Sequence, residues 1–247
     1  MVADMLVLVL GGNSEIALAA AEKFAQHENA DIILASRNLE KAEEQARIMA
    51  KRHKVSVRAE PFDALAFDTH RQFYEKLDPK PDVVIQAFGV LNNQKEAQKE
   101  FDIARNTLDS NLLGAVSILE PIAADFEERG HGTIIGISSV AGERGRHSSY
   151  IYAASKAGLT VYLDGLRHRL WPSGARVITV LPGFVPTKMV AGRTAKFGAT
   201  PLETAGRDIY KAWKKGRHKI YTGSKMRYIM AAVRALPEFV ILRIRSI

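Results

Sequence analysis

Short continuous apolar runs, bounded by glycine, proline or charged residues, predict strands at Leu6–Leu10, Asp31–Ala35, Val55–Ala59, Asp82–Ala87, Gly132–Ser138 and Arg176–Leu181. The stretches between them read as helices over Ile16–Gln26, Leu39–Arg52, Thr69–Leu77, Lys99–Leu108, Asn111–Arg129 and Ser149–Leu170. Strand and helix alternate at βαβ spacing, and the strands are apolar enough to be covered on both faces. The pattern predicts an α/β fold with a doubly wound, mostly parallel sheet, in which ligands bind beyond the carboxyl ends of the strands. No Gly/Ser/Pro linker, repeat or low-complexity tract interrupts residues 1–247, so a single domain is expected. The opening MVADMLVLVLGG is a short apolar run without a basic leader and reads as a first buried strand.

Composition narrows the picture only a little. The chain has 35 Lys and Arg against 27 Asp and Glu, a formal charge of +8, and no cysteine. Disulfides and thiolate metal sites are therefore excluded, and a reducing cytoplasmic location fits. No apolar run is long enough to span a bilayer. The basic residues are dispersed, with local density at Lys211–Lys219 and near the carboxyl end, and no nucleic-acid-binding motif is present. A phosphorylated ligand, a membrane surface or plain solvation can each absorb the excess charge.

The sharpest chemistry lies in SSVAGERGRHSSYIYAASK. Ser139, Tyr152 and Lys156 stand as S-x12-Y-x3-K. Tyr152 and Lys156 are four apart, so a helix puts them on one face. A lysine cation beside a phenol favours the phenolate, lowering its pKa from about 10 towards the working pH. Such a phenol gives a proton to a ketone or takes one from an alcohol. Ser139 can hydrogen-bond the same oxygen. Asn111 lies inside a predicted helix, where asparagine is unfavourable without a purpose; it can hold a water or backbone group that links Lys156 to solvent. Near the start, GGNSEIALA follows the first strand. Gly11 and Gly12 suit a tight turn, Asn13 and Ser14 can meet a phosphate, and Ile16 can cover a cofactor where the helix begins. Glu15 places a carboxylate at this turn and is expected to point away or cap the helix. The second strand ends at Ser36 and Arg37 rather than an acid, which leans towards NADP(H), with NAD(H) open; Arg37 can pair with a 2′-phosphate or simply decorate a surface loop. Asp63 can accept from an adenine amino group, Ala87–Gly89 can let a ribose lie close, and Phe88 can pack on the adenine side or in the core.

Together these residues resemble the short-chain dehydrogenase/reductase family, over essentially the whole chain up to about Thr187. Gly11–Ala17 matches the family's cofactor turn, although Glu15 and Ala17 replace its last two glycines. Ala87–Gly89 matches an Asn-Ala-Gly segment in altered form. Asn111, Ser139, Tyr152 and Lys156 match its catalytic four, and Pro182, Gly183 and Thr187 match the segment bounding the nicotinamide. The resemblance implies a Rossmann-type three-layer sandwich, NAD(P)H-dependent reduction of a ketone to a secondary alcohol, no metal, and a homo-oligomer paired through the long helices. The strings LVLGGNSEIALA, EPFDALAFDTH, SSVAGERGRHSSYIYAASKAGL and MRYIMAAVRALP further resemble the reductases that form decaprenylphosphoryl arabinose for the cell wall. That closer likeness implies a polyprenyl-phosphate-linked 2-keto-pentose substrate and a flavin-dependent oxidase partner. A different small or lipid-like alcohol/ketone pair stays open.

Two segments bear on the substrate. Residues 188–200 are expected to form a lid whose Lys188, Arg193 and Lys196 contact a phosphate or remain solvated, with Arg144 and Arg146 as alternatives on the facing loop. Residues 226–247 form a basic amphipathic segment that Pro237 should divide. Its apolar side can meet the inner face of a membrane, another subunit or the chain's own core.

Overall fold

The computed structural model describes residues 5–192 and 198–243. The strands are β1 (Leu6–Leu10), β2 (Asp31–Ser36), β3 (Val57–Pro61), β4 (Val83–Gln86), β5 (Thr133–Ile137), β6 (Arg176–Leu181) and β7 (Lys219–Tyr221). They form one seven-stranded sheet in the order β3-β2-β1-β4-β5-β6-β7, and every pairing is parallel. The helices are α1 (Glu15–Glu28), α2 (Leu39–His53), α3 (His70–Glu75), α4 (Gln94–Ala97), α5 (Phe101–Leu108), α6 (Gly114–Arg129), α7 (Tyr150–Leu170), α8 (Leu202–Lys214), α9 (Met226–Ala235) and α10 (Glu238–Ile241).

The period of two along each strand sorts the core into two layers. Leu6, Leu8 and Leu10 of β1 join residues of α6 and α7, among them Ile118, Leu119, Leu159 and Leu163. Val7 and Val9 face the other way, against Ala20, Ala21 and Phe24 of α1, Ala42 and Ala46 of α2, and Ile209 and Trp213 of α8. Parallel strands need both faces covered, because each crossover helix returns over one of them. The doubly wound three-layer sandwich expected from the sequence is thus the observed fold.

Three departures from the predicted elements have physical reasons. Strand β3 starts two residues later than Val55, because α2 ends at Lys54 in a left-handed turn with φ 60°. The shift keeps parity, so Val57 and Ala59 still pack against the sheet layer, and an edge strand tolerates Pro61. The two helices expected over Lys99–Leu108 and Asn111–Arg129 are joined by a π-helical turn at Asp109–Leu113, a bulge that inserts one extra residue into the helical path. Strand β7 and helix α8 have no predicted counterpart. The strand has only three residues, none of them buried.

The carboxyl-terminal segment divides at Pro237 as expected, with Pro237 preceding α10. One face of α9 packs on its own chain: Met226, Met230 and Val233 are buried with Val140 and Leu181. Tyr228, Phe239 and Leu242 are exposed. Ile244 and Arg245 lie outside the described residues. Among the described residues no helix is long and apolar enough to cross a membrane.

Candidate functional site

The carboxyl ends of β1, β2, β4, β5 and β6 border one cavity of about 820 Å³, lined from the first turn, Arg37, Asp63, Ala87–Gly89, Ser139, Tyr152, Lys156, Pro182–Gly183, Thr187 and α9. A volume of that size suits a small-molecule or cofactor site. Asn111 stands behind this wall, fully buried in the π turn.

The catalytic candidates are fixed by backbone anchors. Ser139 follows β5 in extended conformation, and its hydroxyl accepts from the Ala141 amide at 3.1 Å. Tyr152 and Lys156 lie in the first turns of α7. The Lys156 ammonium donates to the Ile137 carbonyl at 3.0 Å. Burial pushes Lys156 down to about 8, because a desolvated ammonium is disfavoured. Asn111 uses its whole side chain. Its Oδ1 accepts from the Val90 amide at 2.7 Å, while its Nδ2 donates to the Val90 carbonyl and to Ser155 Oγ, each at 2.9 Å. Ser155 in turn donates to the Tyr152 carbonyl at 2.7 Å. Asn111 therefore splices the segment after β4 to the tyrosine-bearing turn of α7. Of the two sequence alternatives, water or backbone, the backbone group is the one seen: Asn111 clasps the main chain of Val90, and both hydrogens of its amide are spent. Gly89 makes this possible. A Cβ there would lie 2.7 Å from Asn111 Oδ1 and 3.6 Å from Lys156 Nζ.

At the other end of the cavity, Gly11 has φ +94°, and a Cβ on it would lie 2.6 Å from the Phe88 amide. Both facts call for glycine. Asn13 is turned to the protein: its Nδ2 donates to Ser36 Oγ at 2.6 Å and to the Asn38 carbonyl at 2.9 Å. Ser14 caps α1 through the Ala17 amide, and Ile16 lines the cavity. Glu15 neither turns away nor caps the helix. Its carboxylate accepts from the Lys188 amide at 2.7 Å, tying the cofactor turn to the start of the loop over the site. Asp63 closes its own turn by accepting from Leu65 at 3.0 Å while still lining the cavity. Phe88 packs against the core, its ring 5.6 Å from that of Phe62, and also lines the cavity. Arg37 is exposed at the cavity edge, and Lys41, which sequence reasoning passed over, lines the cavity beside it.

Of the substrate-side cations, Arg144 is taken by Glu238 at 2.6 Å and is corrected as an anion contact. Lys188 and Arg146 line the cavity. Arg193 and Lys196 lie outside the described residues. No group of three or more potential metal ligands occurs among the described residues.

A glycine turn cradling the end of β1, with a serine, tyrosine and lysine across one cavity, defines the dinucleotide-dependent oxidoreductase class. A model of the short chain dehydrogenase family matches residues 5–197. An uncharacterized oxidoreductase of Streptomyces coelicolor is 33% identical over 94% of this chain and 92% of its own length. One from Mycobacterium tuberculosis is 30% identical over 95% and 94%. The fold is shared with a short-chain dehydrogenase from Sphingobium yanoikuyae in complex with NADPH, at a TM-score of 0.82, 21% identity and coverage of 98% and 97%. The chain belongs to the short-chain dehydrogenase/reductase family and is an oxidoreductase acting on CH–OH donors.

Proposed function

We propose that this chain reduces a ketone to a secondary alcohol with NADPH, and that the ketone is the 2-keto group of a polyprenylphosphoryl pentose. The observation that carries the reductase reading is the meeting of Ser139, Tyr152 and Lys156 on one cavity with the glycine turn. The glycine cradle fits a dinucleotide: a Cβ on Gly11 or Gly89 would collide with the walls that bring the backbone close, and the start of α1 offers amides to a pyrophosphate. The Asn13 side-chain amide is used within the protein, which leaves its backbone to meet the phosphate. Pro182, Gly183 and Thr187 would hold the nicotinamide end, Ala87 and Gly89 the ribose and Asp63 the adenine, all of them lining the same cavity. When bound, the nicotinamide supplies the hydride for the new C–H bond.

The chain's own residues do the proton chemistry. Tyr152 gives its phenolic proton to the carbonyl oxygen as charge develops there. Ser139 donates a hydrogen bond to the same oxygen and orients it. The Lys156 ammonium favours the anion left on Tyr152 and holds the ribose. Asn111 positions Tyr152 through Ser155, and any water relay runs through the Asn111 main chain within the π turn. Arg37, with Lys41 beside it, supports a 2′-phosphate and hence NADP(H) over NAD(H).

The finer substrate reading is supported by the strings shared with decaprenylphosphoryl-keto-pentose reductases and by the apolar wall of Met226, Ile229, Met230 and Val233. Of the lid expected over residues 188–200, positions 193–197 lie outside the described residues, and Lys188, Met189, Val190 and Gly198 line the cavity. A flavin-dependent oxidase would supply the ketone. The outward Tyr228, Phe239 and Leu242, with Arg227 and Arg243 beside them, support contact with the anionic inner face of the membrane. Another ketone pair is the second reading, because the relatives from Streptomyces coelicolor and Mycobacterium tuberculosis are uncharacterized oxidoreductases.

The test is NADPH and NADH oxidation with the keto-pentose lipid, generated in anionic vesicles by its oxidase. Tyr152→Phe is expected to lose roughly 10²–10⁴-fold in turnover with cofactor affinity retained. Retained turnover removes Tyr152 as the acid. Arg37→Asp is expected to weaken NADPH by about tenfold or more relative to NADH, the scale of one lost charge-assisted pair. Sedimentation with the same vesicles checks the membrane contact. Reduction of neutral soluble ketones alone would favour the second reading.

A further inference from the structure

The mechanism leaves two cations of the cavity unused, the exposed Lys188 and the half-buried Arg146, and burial singles out Arg146. It sits in the loop between β5 and α7, six residues before Tyr152, where its carbonyl accepts from the Ser149 amide and closes the turn into the helix. Its side chain is half-buried and lines the cavity together with Ser148, Ser149 and Tyr152. Its guanidinium has no acid partner among the described residues. The acids bound to this loop are committed elsewhere. Glu143 accepts from Tyr221 and faces Lys219 and Arg234, and Glu238 is paired with Arg144. The two acids on the cavity wall, Glu15 and Asp63, accept from the Lys188 and Leu65 amides. Residues 193–197, RTAKF, contain no acid. Burial pushes the Arg146 guanidinium below its ordinary value, with no opposing charge to hold it up. A partly desolvated arginine without a counter-charge costs stability in the free protein, and an anion entering the cavity repays that cost.

Position separates this cation from the cofactor's own. Arg37 follows β2, whereas Arg146 follows β5. In the strand order, β1 and β4 lie between those two strands, a lateral gap of about 14 Å at ordinary strand spacing. The wall on the substrate side is apolar: Val140, Met189, Met226, Ile229, Met230 and Val233 line it. Burial of aliphatic surface there favours a hydrocarbon chain, while a fork-shaped guanidinium favours an oxyanion.

We propose that Arg146 is an oxyanion anchor on the substrate side, so that the ketone reduced here is an anionic amphiphile, its phosphate or carboxylate on Arg146 and its hydrocarbon along α9. This rests on the reading of the cavity as a carbonyl-reduction site and names the group that selects the substrate. The probes are octyl phosphate, nonanoate, 1-octanol and inorganic phosphate, each titrated below its micellar range by calorimetry into the NADPH-loaded protein. Octyl phosphate, nonanoate or both should bind wild-type chain and weaken at least tenfold in Arg146→Ala, with partial recovery in Arg146→Lys. Octanol and NADPH affinities should be unchanged by the substitutions, and Tm should not fall in Arg146→Ala. Equal octyl phosphate and nonanoate affinities in wild type and Arg146→Ala would overturn the proposal. So would a parallel loss of NADPH affinity, which assigns Arg146 to the cofactor. Inorganic phosphate binding as tightly as octyl phosphate would overturn the amphiphile and leave a free-phosphate site. Arg146-dependent binding in a protein that reduces no ketone would keep the anion site and remove the reductase reading. Matched neutral and anionic ketones turned over equally would do the reverse.

Discussion

Lys156 carries the most consequential single charge in the site, and its titration can be read in two directions. Fully buried and pushed down to about 8, it loses its proton in the folded chain well before the ordinary 10.5 of an unfolded lysine. Activity that depends on the ammonium is therefore present below about pH 8 and lost above it. We predict that kcat/KM for ketone reduction falls by about tenfold per pH unit above that value, since kcat/KM reports groups of the free enzyme. Stability moves oppositely. Between about 8 and 10.5 the unfolded chain binds one more proton, so this group's contribution to stability rises with pH. A flat rate profile from pH 7 to 9.5, measured alongside thermal melts, would remove Lys156 from the rate-controlling proton chemistry. At this scale the sequence was highly legible where spacing dictates chemistry: Tyr152 and Lys156, four apart on one helix, and Ser139 at a strand end do reach one cavity. It was less legible where a polar side chain had a choice of partners. Nothing in GGNSE says that Glu15 reaches the Lys188 amide across 173 positions. Nor does the local sequence show Asn111 spending its amide on Val90 and Ser155. Such long-range bonds are decided by packing, not by neighbours in the chain.

The loop after β5 joins elements that the sequence presents as unrelated. Glu143, with only 6% of its side chain exposed, faces Lys219 at 3.9 Å and Arg234 at 3.4 Å, and it accepts from the Tyr221 hydroxyl at 2.7 Å. Burial, followed by that bond, pushes Tyr221 up to about 12. One carboxylate thereby fixes β7 and α9 to the loop that carries Ser139, and Arg144 adds the bond to Glu238. The apolar wall of the cavity depends on this staple. Glu143→Ala should cost about 1–3 kcal/mol, the usual penalty for stranding buried polar groups, and lower Tm by roughly 3–10 °C at this size. Hydrogen exchange should show lost amide protection concentrated in Met226–Ala235, with KM for an apolar ketone rising more than kcat falls. Unchanged protection in that helix would show that apolar packing alone holds it. The elements themselves were legible wherever an apolar run was buried on both faces, as at β1 and β6, whose bounds match the sequence expectation. The expectation failed at β7, whose residues are half-buried or exposed, and at the π turn, because an extra residue in a helix leaves no mark in composition.

On the scale of the molecule, the layer formed by α5, α6 and α7 carries apolar side chains that its own sheet does not use. Phe101 is 74% exposed, Val161 71%, Leu113 47% and Tyr150 44%, while the inward residues of α7, including Leu159, Leu163 and Leu166, are buried in the core. Single exposed apolar residues need no explanation, but several on neighbouring helices mark a surface for association. A second copy of the same chain is the economical partner, since a two-fold axis lets one surface cover itself. The surface also adjoins chemistry: Tyr150 begins the helix that carries Tyr152 and Lys156, and the π turn holding Asn111 packs against that helix. Association would thus stiffen the scaffold under the catalytic residues without reaching into the cavity. We predict that light scattering finds a dimer or tetramer at micromolar concentration. The double variant Phe101→Glu/Val161→Glu should be monomeric and folded, because both side chains already face solvent. Its turnover should fall by no more than about tenfold, as befits a change one helix removed from the reacting atoms, an effect of about 1.4 kcal/mol. If the variant keeps the wild-type mass, the association surface lies elsewhere. The next candidate is the carboxyl-terminal face of Tyr228, Phe239 and Leu242, where exposed aromatic and aliphatic groups stand beside Arg227 and Arg243.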